Sequence, residues 1–157
     1  SIDGTAGTEV ISHDDQYATE ARSSIWIVDG DQSATTGDVA VTISTQAWKR
    51  MSLNIYAVYG NDFPQILDTA VDFTSTSSTQ LYSTINTVPT GPCVAGVSCG
   101  SSSGSVSLAP SFTRDRIDTL ESSNSTFAVF SRNLTDNTDL TTSSANGQKC
   151  MTAVSFV

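Results

Sequence analysis

Apolar and polar residues alternate with a period of two in eight separate stretches of the chain. Period two is the spacing of a β-strand with one buried face, because successive side chains point to opposite sides of a sheet. The stretches are SSIWIV at 23–28, DVAVTIS at 38–44, MSLNIYAVY at 51–59, TAVDFT at 69–74, TQLYSTINTV at 79–88, SVSLA at 105–109, STFAVFS at 125–131 and CMTAVSFV at 150–157. Turn residues separate them, so the pattern predicts an all-β fold, an antiparallel β-sandwich of jelly-roll or immunoglobulin-like type. A chain of 157 residues suits one domain spanning 1–157.

The two ends of the chain carry different patterns. In residues 1–11, Ile2, Ala6 and Val10 are apolar and polar side chains lie between them. An extended N-terminal arm over this segment would have one face to cover, against its own sheet or that of a neighbour. In residues 150–157 both alternating sets contain apolar side chains, which predicts a strand in the interior of a sheet.

Signals for helix are weak. Ser12 and Asp15 resemble a capping box that could start one turn within residues 14–22, and SFTRDRIDTLE at 111–121 follows Pro110 and could form another. The sequence therefore predicts at most one or two short helical turns.

The charge of the chain excludes some partners. Sixteen acidic residues against seven Lys and Arg give a net charge of -9, which argues against binding nucleic acid because phosphate needs clustered basic side chains. Eleven of the acids lie in residues 1–72 beside three bases, so an acidic face there would attract cations or a basic partner. The chain lacks an apolar run of about 18 residues, so we expect no insertion into a membrane.

Two of the three cysteines lie close together in GPCVAGVSCGSSSGS at 91–105. One His and a five-residue gap do not fit a zinc site, and a C-x-x-C redox motif is lacking. We predict a surface loop closed by a disulfide between Cys93 and Cys99, which would stabilise the fold by about 2.4 kcal/mol. A bridge from either residue to Cys150 would give about 4 kcal/mol and is the alternative. With the short bridge, Cys150 is a small buried side chain.

Several features predict a location outside the cytoplasm. Asn124 and Asn133 begin N-glycosylation sequons, and Ser and Thr together supply 47 residues. With a disulfide, these features predict a secreted or cell-surface glycoprotein in the extracellular space.

The segment DGDQSATTGD at 29–38 is the candidate metal site. It carries Asp29, Asp31 and Asp38, and oxygen ligands at alternate positions suit Ca²⁺. The segment lacks the glycine and glutamate of an EF-hand, so an Asp- and Gly-rich turn is the alternative. We expect no other cofactor.

Aromatic residues supply candidates for carbohydrate binding. Trp48 and Tyr56 could stack on sugar rings, while Trp26 lies inside an apolar run and is predicted to belong to the core. The single histidine, His13, is predicted to be solvated. Because no nucleophile motif accompanies it, we expect no enzymatic activity.

These observations favour a non-catalytic structural or adhesive subunit of an extracellular filament, fibre or pilus, joined to neighbouring subunits by strand exchange through residues 1–11. One alternative is a secreted module for carbohydrate binding or calcium-dependent adhesion. Another is a protruding domain of a virus capsid. Self-association or neighbouring surface subunits are the expected partners, with glycan as the alternative.

Overall fold

The described part of the chain is built entirely from strands. The computed structural model describes residues 1–2, 4–13, 23–28, 38–42, 52–56, 65–78, 80–86, 88, 91–100, 106–109, 112–120, 125–134, 138–143 and 147–157, and these contain no helix. The strands are β1 (Thr8–His13), β2 (Ser23–Ile27), β3 (Ile66–Ser78), β4 (Tyr82–Ile85), β5 (Gly91–Gly100), β6 (Ser107–Ala109), β7 (Thr113–Leu120), β8 (Ser125–Leu134), β9 (Thr138–Ser143) and β10 (Gly147–Phe156). The predicted all-β class is confirmed.

The strands form two sheets and a separate pair. A five-stranded sheet has the order β3-β10-β5-β8-β7, a three-stranded sheet has the order β4-β9-β6, and β1 pairs with β2. All these pairs are antiparallel. One buried apolar cluster takes side chains from both larger sheets, so the two sheets pack face to face in the manner of a β-sandwich.

The core lies between the two sheets. In the middle of the five-stranded sheet, Ala70, Ala153 and Ala95 are cross-strand neighbours on three adjacent strands, and all are buried. These small side chains leave space that larger ones must fill if the interior is to reach native packing density. The three-stranded sheet and its flanks supply them: Leu81, Ile85, Val106, Leu108 and Leu140.

Strand β10 is an interior strand of the five-stranded sheet, as the pattern at 150–157 predicts. It pairs with β3 on one side and β5 on the other, and both of its faces are buried. The side of β10 away from the core carries Thr152, whose Oγ1 lies 2.6 Å from Ser23 Oγ of β2. The β1–β2 pair therefore covers part of the second face of the sheet.

A glycine allows this close approach. A Cβ added to Gly96 of β5 would lie 3.1 Å from Ser23 Oγ, closer than ordinary van der Waals contact. A side chain at this position would push the β1–β2 pair away from the sheet.

The N-terminal segment folds onto its own chain. Ile2 forms an isolated bridge with Thr5, and Gly4 lies between them with a positive φ of 84°. Ile2 forms a second isolated bridge with Val39. From Thr8 onward the segment belongs to β1, which pairs with β2. The apolar face predicted for residues 1–11 thus finds cover, in part, within the same molecule.

Three local predictions are wrong. Residues 38–42 and 52–56 lie outside the strands, where Leu53 and Ile55 are 50% and 58% exposed, so their alternation marks an exposed segment with no sheet to cover it. The segment 111–121, predicted to form a helical turn, contains β7 instead, because its ladder with β8 runs from Thr113 to Leu120. The other predicted turn, at 14–22, lies outside the described residues.

Candidate functional site

The two neighbouring cysteines lie on one continuous strand. The segment predicted as a pinned loop is β5, and both Cys93 and Cys99 face the core from it. Six residues of strand separate their Cα atoms by about 20 Å, whereas a disulfide requires less than about 7 Å. Cys150 lies on the opposite face of the sheet, since it neighbours Ser98 on β5. All three cysteines are therefore buried thiols, and the predicted Cys93–Cys99 disulfide is wrong for this structure.

Burial makes Cys93 and Cys150 poor nucleophiles. Desolvation raises the pKa of Cys93 to about 12. It also raises the pKa of Cys150 to about 12, although a hydrogen bond from the Ser23 backbone partly opposes the shift. Because the thiolate is the reactive form, these two side chains act as small buried apolar groups.

A polar row crosses the interior near one end of the sheet. Lys149 is 1% exposed and has Thr74 and Cys99 as its cross-strand neighbours, and Thr126 follows next to Cys99. Burial lowers the pKa of Lys149 because it disfavours the ammonium, and the electrostatic interaction with Cys99 opposes this effect. Hydroxyl and thiol groups are thus the neighbours that the ladder places beside this amine.

Only one of the three candidate calcium ligands lies among the described residues. Asp29 and Asp31 lie outside the described residues, and Asp38 is exposed. Among the residues that are described, no group of three or more His, Cys, Asp or Glu side chains could hold a metal ion. The calcium site stays a prediction.

Of the two candidate sugar-stacking residues, Tyr56 is described and Trp48 is not. Tyr56 Oη donates a hydrogen bond of 2.6 Å to Asp115 Oδ2 of β7. Burial, this bond and the Asp115 charge all raise the pKa of Tyr56. An open groove of about 400 Å³ lies here, and we call it the Tyr56 groove; it is lined by Leu53, Asn54, Ile55, Tyr56, Asp115 and Arg116.

A second contact fixes the same segment to β7. Ser52 Oγ donates a hydrogen bond of 2.8 Å to Asp118 Oδ2, and Arg116 Nε lies 2.9 Å from the same oxygen. The Ser52 bond and the Arg116 bond both lower the pKa of Asp118. The Tyr56 groove thus has one wall of irregular chain and one of strand, held together by carboxylates.

The glycosylation candidates fall in different places. Asn124 lies outside the described residues, and Asn133 is part of β8, opposite Pro92 of β5. The ladder of β7 with β8 reaches only Ser131, so Asn133 lies beyond the last pair of that ladder. Use of either sequon stays a prediction.

His13 and Trp26 differ from their predicted settings. His13 stacks on Phe73 of β3 with 3.7 Å between the ring centroids, and its Nε2 is buried without a hydrogen-bond partner. Trp26, predicted to lie in the core, is 56% exposed on the outer side of β2, and its Nε1 donates to Ser24 Oγ. The apolar run IWIV therefore turns its isoleucines inward and its tryptophan outward.

Strand β3 presents apolar side chains to solvent at one edge of the five-stranded sheet. Within the described chain, β3 pairs with β10 alone. Four of its apolar residues are 38–47% exposed, and we call them the β3 stripe: Ile66, Leu67, Val71 and Phe73. Several such residues on one short stretch are typical of contact surfaces.

Two aspartates of β3 accept hydrogen bonds from β3 itself and from residues in and just after β4. Asp72 Oδ1 accepts from Phe73 N and Asp72 Oδ2 accepts from Tyr82 N of β4. Asp68 Oδ1 accepts from Thr69 N, while Asp68 Oδ2 accepts from Asn86 N and Asn86 Nδ2. We call this pair the edge carboxylates. They connect the two sheets along one open side of the sandwich, and these bonds are 2.7–2.8 Å long.

Similarity to known proteins gives no information about the function of this chain. No family model, curated protein or solved structure matches the chain. In the described ranges no helix is both long enough and apolar enough to span a bilayer.

Proposed function

We propose that the chain is a non-catalytic structural or adhesive subunit of an extracellular surface assembly, such as a filament, fibre or pilus. The observation that carries the proposal is the β3 stripe, whose four apolar side chains are 38–47% exposed on an edge strand. An exposed apolar edge favours association with a neighbour, because solvent-exposed apolar surface is unfavourable in an isolated subunit.

The winding of the strands supports a jelly roll, the finer form of the proposed sandwich. Eight strands of a jelly roll nest as pairs of first with last, second with seventh and third with sixth. Counting from β3, these pairs are β3–β10, β4–β9 and β5–β8, and all three occur. Jelly rolls are frequent in viral capsid and lectin domains, so this winding also supports the capsid form of the proposal. Fold alone does not decide among assemblies.

Strand exchange through residues 1–11 is a second proposed route between neighbours, beside contact through the β3 stripe. The support is that β1 pairs along its length with β2 and contributes His13 to the contact with Phe73, so a β1 strand from another copy has a defined place to bind. Deletion of residues 1–11 should abolish assembly if this route is used. Contact through the β3 stripe alone should survive the deletion.

The extracellular location stays part of the proposal, and its support has changed. The three buried thiols remove the disulfide from the argument. The two sequons at Asn124 and Asn133 remain. Intact-mass measurement of the protein from its natural source would show whether either is used.

A carbohydrate-binding module is the second candidate, and the Tyr56 groove favours it. The groove combines apolar side chains with Asn54, Asp115 and Arg116, and sugars bind to such mixtures of apolar and hydrogen-bonding groups. Glycan-array binding that is lost in Tyr56→Ala and kept in Tyr82→Ala, another exposed tyrosine, would support it.

The main proposal is tested by placing a charge on the stripe. Val71→Lys should reduce assembly seen by negative-stain microscopy, because a lysine at the contact must be desolvated. Ile55→Lys is the matched control, since Ile55 is also exposed but lies beside β7 at the opposite edge of the sheet. Equal assembly of the Val71→Lys variant and the wild type would contradict the proposal.

A further inference from the structure

The outer edge of β3 has backbone donors that are already occupied. Thr69 N and Phe73 N each donate to the carboxylate of the preceding residue at 2.8 Å. Backbone groups two residues apart on a strand point to the same side, so the Val71 N–H points outward with them. A neighbouring strand arriving at this edge would have to displace Asp68 and Asp72 from the donors it needs.

We propose that the edge carboxylates are a gate that prevents β3 from pairing with β3 of a second copy of the chain. The inference rests on the proposed function for its premise that copies of the chain meet. It adds that they meet through faces and not through continuation of the sheet, for as long as Asp68 and Asp72 are charged.

A second copy is the occupant that the pattern of β3 fits. In an antiparallel β3–β3 pair, the outward positions 69, 71 and 73 must lie opposite one another, so the two-fold axis passes through a residue of β3. An axis at Val71 sets the two Val71 side chains opposite each other. An axis at Ala70 sets Val71 opposite Thr69 of the second copy. An axis at Asp72 sets Val71 opposite Phe73 of the second copy. All three registers place exposed apolar side chains of the two stripes against each other.

Each of these registers brings like charges close together. With the axis at Val71, Asp72 lies diagonally across from Asp68 and Asp72 of the second copy. With the axis at Ala70, Asp68 lies directly opposite Asp72 of the second copy, and this occurs twice. With the axis at Asp72, the two Asp72 side chains face each other. Like charges directly opposite in a ladder are destabilising. The edge carboxylates therefore oppose self-pairing in two ways, by occupying the donors and by repelling their equivalents.

The test neutralises the gate and keeps its shape. In Asp68→Asn/Asp72→Asn, we expect the dissociation constant for dimers at pH 7 to fall by at least about tenfold relative to wild type, measured by analytical ultracentrifugation. Asp115→Asn/Asp118→Asn is the matched control, because it makes the same change of charge on β7 at the other edge of the sheet. Dimerisation of the control to the same degree would show a general charge effect and overturn the inference.

A third substitution identifies the surface that pairs. Adding Val71→Pro to the neutralised variant removes an outward N–H at a position where an edge strand tolerates proline. We expect it to return the variant to monomer, and a dimer that persists is formed by another surface and overturns the inference. Circular dichroism checks that each variant folds; if the double variant unfolds, Asp72→Asn alone should still dimerise more tightly than wild type.

The outcomes separate this inference from the proposed function. A wild-type protein that stays monomeric while the neutralised variant dimerises contradicts the proposed function and supports the gate. A wild-type protein that assembles through the β3 stripe, together with a neutralised variant that dimerises no more tightly, supports the proposed function and contradicts the gate.

Discussion

Replacing Asp68 with Asn should lower the free energy of unfolding at neutral pH. The carboxylate accepts three hydrogen bonds, from Thr69 N at 2.8 Å, Asn86 N at 2.8 Å and Asn86 Nδ2 at 2.7 Å. An amide has one acceptor oxygen, so at least one donor loses its acceptor. A hydrogen bond to a charged group is worth about 1.5–3 kcal/mol, and water replaces part of it at this half-buried position. We therefore expect a loss of about 1–2 kcal/mol.

The loss should disappear in acid. The backbone N–H of Asn86 is the largest cause that holds the pKa of Asp68 below its ordinary value. Because the folded pKa lies below the unfolded one, the ionised carboxylate stabilises the fold above the unfolded pKa of about 3.9, and this stabilisation is lost as pH falls through the folded pKa. Wild type and Asp68→Asn should differ by a constant amount above about pH 5 and converge as the pH falls through the folded pKa of Asp68.

Urea denaturation followed by circular dichroism at low protein concentration measures both effects. Glu9→Gln is the control, because Glu9 is an exposed carboxylate on β1 and should change stability by less than about 0.5 kcal/mol. An Asp68→Asn deficit of equal size at neutral and acidic pH would refute the reasoning, since it would show that the charge of the carboxylate is irrelevant.

Three further predictions test the packing. Native protein should resist alkylation of its three cysteines at pH 8, denatured protein should react at all three, and a disulfide found by non-reducing mass spectrometry would contradict the structure. Gly96→Ala should cost about 1 kcal/mol and speed hydrogen exchange in β1 and β2, because its Cβ would lie 3.1 Å from Ser23 Oγ. Met151→Ala should cost about 2–5 kcal/mol because Met151 is fully buried, whereas Val71→Ala should cost less than about 0.5 kcal/mol, both measured by urea denaturation.

Periodicity predicts the class of this fold because most of its strands do alternate. It predicts correctly that residues 150–157 form an interior strand, since both faces there carry apolar side chains. It misses β5 because the core-facing positions are small, with Cys93, Ala95, Val97 and Cys99 alternating with residues that include glycine. The spacing of Cys93 and Cys99, six residues apart, predicts a bridge, but the two residues are apolar positions on one face of a strand.

The exposed side chains of β3 are a feature that the sequence pattern alone does not predict. The segment 69–74 is a strand as predicted, but the side chains that an alternation rule assigns to the core, Val71 and Phe73, are exposed. The small Ala70 is buried instead, and Asp68 and Asp72 share its face. Which face of a strand is covered depends on where the second sheet lies. The position of the second sheet follows from the long-range order of the strands and not from the local pattern of apolar residues. The edge carboxylates can be recognised in the sequence as two acids four residues apart on one strand face, but their partners Tyr82 and Asn86 cannot.

The central claim, that copies of this chain associate through the β3 stripe, is tested most directly by molar mass. Light scattering across a concentration series should show wild-type protein rising above the 16.5 kDa of one chain, and Val71→Lys should shift that rise to higher concentration while Ile55→Lys does not. A wild-type mass that stays at 16.5 kDa throughout, or an equal effect of both substitutions, would contradict the claim.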